Sequence, residues 1–255
     1  IILLCALLLQ ILANLVNDVA DFQKGTDKSG RLGPTRVTQS GLLSIHAVWT
    51  GAAVVALLAA AGGLYLAIVR GWPVLVIGGV ALICAVLYTV GPFAFEDYGL
   101  GDLAAFLFFG FVTVCSATYI LLGYLVPLSW LGGLGAGALV TAILVVNNVR
   151  DIESDTRAGR KNIPVRWGRK AGELEFLLMM ILAYLAVGAA FLAGWSGAWI
   201  LLPLVSIPRA VQLVRQMRTL PAGAGFNLLL ANTAQLVLIY CVLFALGILL
   251  DAGIG

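Results

Sequence analysis

Eight apolar segments dominate this chain, and each is about as long as a helix that crosses a lipid bilayer. They are roughly residues 1–20, 41–69, 72–90, 102–124, 128–149, 172–194, 197–215 and 226–250. A spanning helix needs about 20 apolar residues, because its backbone polar groups must all be bonded within the segment. Charged residues make up only 11% of the chain, against about 25% in soluble domains. The sequence therefore predicts an all-α, polytopic membrane protein.

The basic residues indicate how this helix bundle is oriented. Consecutive spans alternate in direction, so the segments that follow spans one, three, five and seven share one face. All 15 Lys and Arg residues fall there except Arg70. Because cytoplasmic loops are enriched in Lys and Arg, this face is predicted to be cytoplasmic. It includes the two long polar connections, 21–40 and 150–171.

Two acidic motifs lie where the first and fifth spans meet this face. Asn17 and Asp21 are four residues apart, as are Asn147 and Asp151, and the second pattern continues to Asp155. On a helix this spacing puts the side chains on one face. Spans one and five point the same way, so the motifs form a parallel repeat of about 130 residues. Carboxylates beside lipid are costly and mark a functional site by default.

The side chains of these motifs favour a divalent metal ion and a phosphate group. Mg²⁺ prefers oxygen ligands and commonly joins carboxylates to substrate phosphates. The alternative is a pair of solvated helix ends with local ion pairs. The predicted metal ligands are Asn17, Asp21, Asp27, Asn147, Asp151 and Asp155. The candidate cations for phosphate oxygens are Lys28, Arg36, Arg150, Arg157 and Lys161, each of which is alternatively a contact to lipid headgroups.

Several other polar and aromatic residues each have two possible roles, one in the site and one in the structure or the solvent-exposed surface. Asp18 lies off the Asn17–Asp21 face, where it either supports the site or faces water. Glu96, Asp97 and Asp102 form a third acidic group on the same face. Asp102 begins a span, where a carboxylate is favoured by the helix dipole, so a capping role and a site role are equally compatible. Tyr88 and Tyr119 either line a cavity or belong to the core.

The two motifs resemble those of the UbiA superfamily of intramembrane aromatic prenyltransferases. The first family motif, NDxxDxxxD, is matched at 17–21, but Gly25 replaces its last acidic residue and Asp27 follows two positions later. The second, NxxxDxxxD, is matched in full at 147–155. The resemblance covers nearly the whole chain. The stretches 17–41, 88–92, 99–110 and 147–168 are similar to the branch of the superfamily that prenylates a naphthoate.

The resemblance implies a fold and a location. The family fold has nine helices around a central apolar cavity with a polar site at its cytoplasmic end. Residues 1–255 would then form a single, N-terminally incomplete domain with eight of these helices. The expected location is the prokaryotic plasma membrane, with the lipid bilayer as a partner and no nucleic acid.

The resemblance also implies an activity, which is Mg²⁺-dependent transfer of a polyprenyl group from polyprenyl diphosphate to 1,4-dihydroxy-2-naphthoate. Decarboxylation accompanies the transfer and gives demethylmenaquinone, a step of menaquinone biosynthesis. Asp21, Asp151 and Asp155 are the expected catalytic residues, and Tyr88 and Tyr119 are candidates for the acceptor cavity. Other acceptors remain possible, namely 4-hydroxybenzoate, homogentisate or a chlorophyll-type alcohol. A lipid or metal carrier is the alternative of a different class.

Overall fold

Helices with the length and hydropathy of membrane spans make up most of the structure, a computed structural model that describes residues 1–24, 36–91, 94–221, 223 and 225–254. Seven helical segments are long and apolar enough to cross a membrane: Ile2–Lys24, Ile45–Arg70, Gly101–Leu122, Pro127–Arg150, Arg169–Leu192, Ala198–Thr219 and Gly225–Gly253. The third predicted segment, 72–90, forms a shorter apolar helix, Trp72–Leu87. The all-α membrane architecture is thus confirmed, while eight spans and a central cavity stay predictions.

The α-helices are labelled in chain order. They are α1 (Ile2–Lys24), α2 (Ile45–Arg70), α3 (Trp72–Leu87), α4 (Phe95–Tyr98), α5 (Gly101–Ala105), α6 (Thr113–Leu122), α7 (Pro127–Arg150), α8 (Ile152–Arg157), α9 (Ile163–Trp167), α10 (Arg169–Leu192), α11 (Ile207–Thr219) and α12 (Gly225–Ile254). A π-helix, Phe106–Val112, joins α5 to α6, and a 3₁₀-helix, Ala198–Ser206, precedes α11. The chain divides into two compact units. Unit 1 is residues 1–101, 119–123 and 153–162, and unit 2 is residues 102–118, 124–152 and 163–255.

Unit 1 is organised by the packing of α1 against α2 and α3. Leu12 and Val16 of α1 are buried with Ala52 of α2. At the other end of this contact, Gly62 of α2 lies against Cys5 of α1, and a Cβ on that glycine would be 2.6 Å from the cysteine sulfur. This packing orients α1 so that its last two turns, with the first acidic motif, lie beyond the apolar core.

Unit 2 is built around α7, the most buried of the spanning helices. Small residues along α7 allow close approach, as is common between membrane helices. A Cβ on Gly137 would be 2.6 Å from the carbonyl oxygen of Phe106, and one on Gly110 would be 2.4 Å from that of Gly133. The buried Tyr240 of α12 donates its hydroxyl proton to the Ala183 carbonyl of α10 at 2.7 Å. These contacts fix the helix that carries Asn147.

Candidate active site

The last turns of α1 place the first acidic motif in unit 1. Asp18 is 7% exposed and accepts hydrogen bonds from the backbone N–H groups of Val37 and Thr38, at 3.0 and 3.2 Å. Of its two sequence interpretations the supporting role fits, because these bonds tie the segment after the first loop to α1. Asn17 donates its Nδ2 to Thr89 Oγ1 at 3.1 Å, which uses the amide nitrogen and not the oxygen that a metal needs.

Asp21 lies in a buried group of charges that we name the Arg160 cluster, formed by Asp21, Arg36, Glu96, Asp155 and Arg160. The Arg160 guanidinium contacts all three carboxylates, Asp21 Oδ1 at 2.7 Å, Asp155 Oδ1 at 3.1 Å and Glu96 Oε2 at 3.2 Å. Arg36 donates to the second oxygen of Asp21 at 2.6 Å. One residue from each acidic motif, Asp21 and Asp155, therefore shares a single cation within unit 1.

Two glycines explain how Arg160 reaches these carboxylates. The helix α8 ends at Arg157 and is followed by Gly159, whose φ is +76°, and the Arg160 N–H bonds back to the Asp155 carbonyl at 3.0 Å. This is a glycine-dependent helix C-cap that reverses the chain, so the Arg160 side chain returns toward Asp155. At Gly99, with φ of +75°, a Cβ would be 2.1 Å from the Lys161 carbonyl oxygen. Only glycine allows this approach, which holds the loop of Glu96 against Arg160.

Burial and charge act in opposite directions on the groups of this cluster. Burial alone would lower the pKa of Arg160, but Glu96, Asp21 and Asp155 outweigh it and raise that pKa. Burial raises the pKa of Glu96 to about 7, although the cations of Arg160 and Lys24 oppose the shift. Arg160 thus stays charged at any working pH, whereas Glu96 titrates near neutrality.

The pKa of Glu96 predicts a loss of stability as pH rises. The unfolded chain has a Glu pKa near 4.5 and the folded chain one of about 7, so the folded state holds the proton more tightly between these values. The contribution of Glu96 to stability is therefore greatest below about pH 4.5 and falls until the folded carboxyl has ionised above pH 7. We expect Glu96→Gln to remove about 2 kcal/mol of this fall, measured by denaturant titration in detergent at pH 5 and pH 8.

Asp97→Asn is the matched control, because Asp97 is a more exposed carboxylate that pairs with Lys24 at 2.9 Å. It should keep most of the pH dependence of stability, because the burial that raises the pKa of Glu96 is unchanged and Asp97 makes only the smallest contribution to that pKa. Equal pH dependence in the wild type and in Glu96→Gln would contradict the prediction.

The second motif is interrupted in unit 2, where the sequence predicts a single helical face running from Asn147 to Asp155. The helix α7 ends at Arg150, Asp151 has φ of −102° and ψ of 14°, and α8 begins at Ile152. The single helical face that the spacing suggests for residues 147–155 is therefore broken at Asp151. The physical reason is local, because the Asp151 side chain bonds to Arg150 beside it and an aspartate at a helix end readily leaves helical geometry.

Arg150 clamps the remaining residues of this motif. Its side chain is 2% exposed. It donates Nε to Asp151 Oδ1 at 2.9 Å and a terminal nitrogen to Asp151 Oδ2 at 2.6 Å. Further bonds run to Asn147 Oδ1 and, at 2.8 Å, to Asn227 Oδ1 of α12. We name Asn147, Arg150, Asp151 and Asn227 the Arg150 clamp. The bonds of this clamp orient the side-chain oxygens of Asn147 and Asp151. They also use the Arg150 guanidinium within the protein.

The remaining predicted residues have varied surroundings. Arg157 is exposed, and Lys161 lies over the Tyr98 ring with its Nζ 5.4 Å from the ring centroid. Tyr88 ends α3, and its carbonyl accepts from the Glu96 N–H at 3.3 Å, so its backbone adjoins the cluster. Asp27 and Lys28 lie outside the described residues.

Tyr119 belongs to the other end of unit 1. The backbone carbonyl of Ile120, the residue after Tyr119, accepts a hydrogen bond from Arg70 at the end of α2. That end of α2 continues past the contact of Gly62 with Cys5. About 24 Å of helix separates Cys5 from Asp21 at 1.5 Å per residue. Tyr119 therefore lies far from Asp21 along unit 1, and its role in the acceptor cavity stays a prediction.

Several residues of these clusters escaped prediction as site residues. From the sequence, Glu96 belongs to an acidic group with no assigned role, and Lys161 is a candidate cation while its neighbour Arg160 is not. The signal for Arg160 was the Gly159 that follows α8, since a C-cap glycine turns the next side chain back. Asn227 belongs to no motif, and only tertiary packing brings it to Arg150.

The donor chemistry of the Arg160 cluster fits Mg²⁺, although a guanidinium now lies among the carboxylates. Within the described ranges, no three His, Cys, Asp or Glu side chains are placed to ligate one ion. Asp21, Glu96 and Asp155 nevertheless offer hard oxygen atoms of the kind Mg²⁺ prefers. Arg160 and a divalent cation would use the same oxygens.

A multi-pass membrane protein with buried carboxylates and arginines at its helix ends is the class that these observations define. A model of the UbiA prenyltransferase family matches residues 1–222. The chain belongs to the UbiA prenyltransferase family, and the resemblance drawn from the two motifs is confirmed.

Within this family, the chain is similar to proteins named for one activity. The chain is 31% identical to the 1,4-dihydroxy-2-naphthoate octaprenyltransferase of Escherichia coli K12, over 98% of this chain and 83% of the relative. It is 31% identical to the protein of that name in Mycobacterium tuberculosis H37Rv, over 94% and 81% of the two chains. A solved structure of digeranylgeranylglyceryl phosphate synthase in membranes aligns with a TM-score of 0.60 at 17% identity, covering 96% of this chain and 86% of that one. At that identity the likeness shows the fold alone.

Proposed function

We propose that this chain transfers a polyprenyl group from polyprenyl diphosphate to 1,4-dihydroxy-2-naphthoate, with loss of the acceptor carboxyl group as CO₂. The product is the reduced form of demethylmenaquinone, so the reaction is a step of menaquinone biosynthesis. Relatives from Escherichia coli, Mycobacterium tuberculosis and Bacillus subtilis that carry this activity in their names support the proposal.

The Arg160 cluster is the observation that carries the proposal. It gathers Asp21 of the first motif and Asp155 of the second around one cation, with Arg36 bonded to the far oxygen of Asp21. Alternating carboxylates and guanidinium groups are what a metal-bound diphosphate requires, since the metal takes the carboxylates and the diphosphate takes the arginines. We infer that the diphosphate of the donor binds here.

The residues of the cluster then have separate roles. Mg²⁺, when bound, would supply positive charge that stabilises the departing diphosphate. Asp21 and Asp155 would hold it, and the same role is proposed for Asn17, Asp27, Asn147 and Asp151 from the motifs alone. Arg36 and Arg160 would exchange their bonds to Asp21 for bonds to diphosphate oxygens, which orients the leaving group. Diphosphate contacts from Lys28, Arg150, Arg157 and Lys161 remain proposals from the sequence.

The bond changes follow from the substrates. The allylic C–O bond breaks, and its electron pair leaves with the diphosphate. The ring carbon that bears the carboxylate forms the new C–C bond, and departure of CO₂ returns an electron pair to the ring and restores its aromaticity. Apolar helices around the prenyl chain exclude water, which would otherwise capture the allylic cation. The distribution of Lys and Arg supports a cytoplasmic site, and the bacterial relatives support a prokaryotic plasma membrane.

The test is an assay of the protein in nanodiscs with polyprenyl diphosphate and either 1,4-dihydroxy-2-naphthoate or 4-hydroxybenzoate, with Mg²⁺ or EDTA. We expect Mg²⁺-dependent, decarboxylated product from the naphthoate alone. Product from 4-hydroxybenzoate only would overturn the acceptor, and binding of both substrates without any product would favour a carrier.

A further inference from the structure

Unit 2 contains a pair of carboxyl groups that the proposed mechanism does not use. Asp102 lies in the first turn of α5 and is 7% exposed. Its Oδ1 accepts a hydrogen bond from Asn148 Nδ2 at 2.9 Å, so its bond goes to a side chain of α7 and not to a backbone N–H of its own helix. This accounts for Asp102 without the capping role that the sequence left open.

Each of the two carboxyl groups has one oxygen that is buried and unbonded. Asp102 Oδ2 and Glu175 Oε2 make no hydrogen bond to any residue that the structure describes. Glu175 of α10 lies within electrostatic reach of Asp102. A buried acceptor without a donor costs free energy, and such groups in native proteins require an explanation. Here two such oxygens belong to carboxyl groups that influence each other electrostatically, and among the described residues only Asn148 donates a hydrogen bond to either group.

The position of this pair connects it with the second motif. Asn148 follows Asn147 directly on the last turn of α7, in the same unit as the Arg150 clamp. The amide that anchors Asp102 is therefore adjacent in sequence to a residue that the motif assigns to the metal. A ligand that bonds to Asp102 would lie against the helix turn that carries Asn147.

The chemistry of the pair limits the ligand. An ionised carboxyl group repels an anion, so the pair disfavours the diphosphate. Asn148 turns its N–H toward Asp102, the wrong polarity for a metal ligand. Two acceptor oxygens instead match a neutral hydroxyl donor, such as the hydroxyl groups of a phenol or naphthol. The same charges would direct the carboxylate of a hydroxynaphthoate away from the pair.

We propose that Asp102 and Glu175 bind a hydroxyl group of the aromatic acceptor and thereby orient its ring for prenylation. This inference rests on the proposed function, because it takes an aromatic hydroxy acid as the second substrate. Hydrogen bonds from the hydroxyl to carboxylate oxygens would also increase electron donation into the ring, which favours attack on an allylic cation. Asn148 is a positioning residue that holds Asp102 for this contact.

The experiment compares Glu175→Gln and Asp102→Asn with the wild-type protein in nanodiscs. We expect the KM for 1,4-dihydroxy-2-naphthoate to rise about tenfold or more in both variants, with the KM for polyprenyl diphosphate unchanged. Binding is measured separately without the diphosphate, using 1,4-dihydroxy-2-naphthoate and its 1,4-dimethoxy analogue. The wild type should prefer the dihydroxy compound, and the variants should lose most of this preference.

Glu173→Gln is the matched control, because Glu173 lies two residues earlier on α10 and pairs with Arg169 at 2.7 Å. It should behave as the wild type in both measurements. Unchanged binding preference in Glu175→Gln, or equal rises in both KM values, would overturn the inference. If the wild type uses 4-hydroxybenzoate instead, the proposed acceptor fails while the same KM comparison on that phenol still decides the role of the pair. If it uses neither, the inference fails together with the proposed function.

Discussion

Replacing Asp21 by asparagine is expected to lower the rate of prenyl transfer by about a thousandfold at saturating Mg²⁺. Asp21 bonds to two arginines through its two oxygens, Arg160 at 2.7 Å and Arg36 at 2.6 Å. The asparagine amide keeps the shape of the side chain but lacks the negative charge that would hold a metal ion. It also has only one acceptor oxygen, whereas Asp21 accepts bonds from Arg160 and Arg36 through two. The measurement is the initial rate with labelled polyprenyl diphosphate in nanodiscs.

Asp97→Asn is the control for this variant too, since it removes a carboxylate from the same loop as Glu96 but from outside the Arg160 cluster. It should retain nearly the full rate. The folded fraction of Asp21→Asn should stay high, because Arg160 keeps its contacts with Glu96 and Asp155. A rate within tenfold of the wild type would argue against Asp21 as a metal ligand.

Arg150→Ala is expected to destabilise the protein by about 3–5 kcal/mol, because it removes a buried guanidinium that bonds to both carboxylate oxygens of Asp151. The side chain of Asp151 is 12% exposed, and the Arg150 guanidinium also bonds to Asn147 and Asn227. Arg150→Lys should recover only part of the loss, since an ammonium group cannot reproduce the two parallel bonds to Asp151. Resistance to unfolding in detergent measures both effects.

The control for Arg150 is Arg215→Ala, which removes an exposed arginine from α11 of the same unit. Exposed substitutions of this kind change stability by about 0.5 kcal/mol or less. Similar stability of the Arg150→Ala and Arg215→Ala variants would show that the Arg150 clamp does not hold the second motif. A large loss of stability would assign Arg150 to the support of Asn147 and Asp151.

The charges of the Arg160 cluster suit both the divalent cation and the diphosphate of the proposed reaction. One guanidinium among three carboxylates is a monovalent cation in a place whose oxygens suit a divalent one. Asp21, Glu96 and Asp155 would hold a divalent cation through the oxygens that now bond Arg160. Arg160 would then be available to bond the diphosphate.

The positions of the helices and of the two acidic motifs could be read from the sequence. Each spanning helix satisfies its own backbone hydrogen bonds, so an apolar run of sufficient length determines the element almost alone. The described helices accordingly begin and end within a few residues of the predicted segments. Acidic residues at helix ends are equally local signals, and Asp21 and Asp155 were identified on that basis.

The partners of these residues were decided by tertiary structure. Glu96 and Arg160 reach Asp21 because Gly159 reverses the chain and Gly99 admits the Lys161 carbonyl, which are contacts between segments distant in sequence. Asn227 reaches Arg150, and Glu175 comes near Asp102, from helices far along the chain. Sequence alone thus determined which segments enter the membrane and which carboxylates mark their ends, since both follow from local hydropathy and spacing. Only packing decided which charge each carboxylate meets, because a charge pair depends on where separate helices bring their side chains.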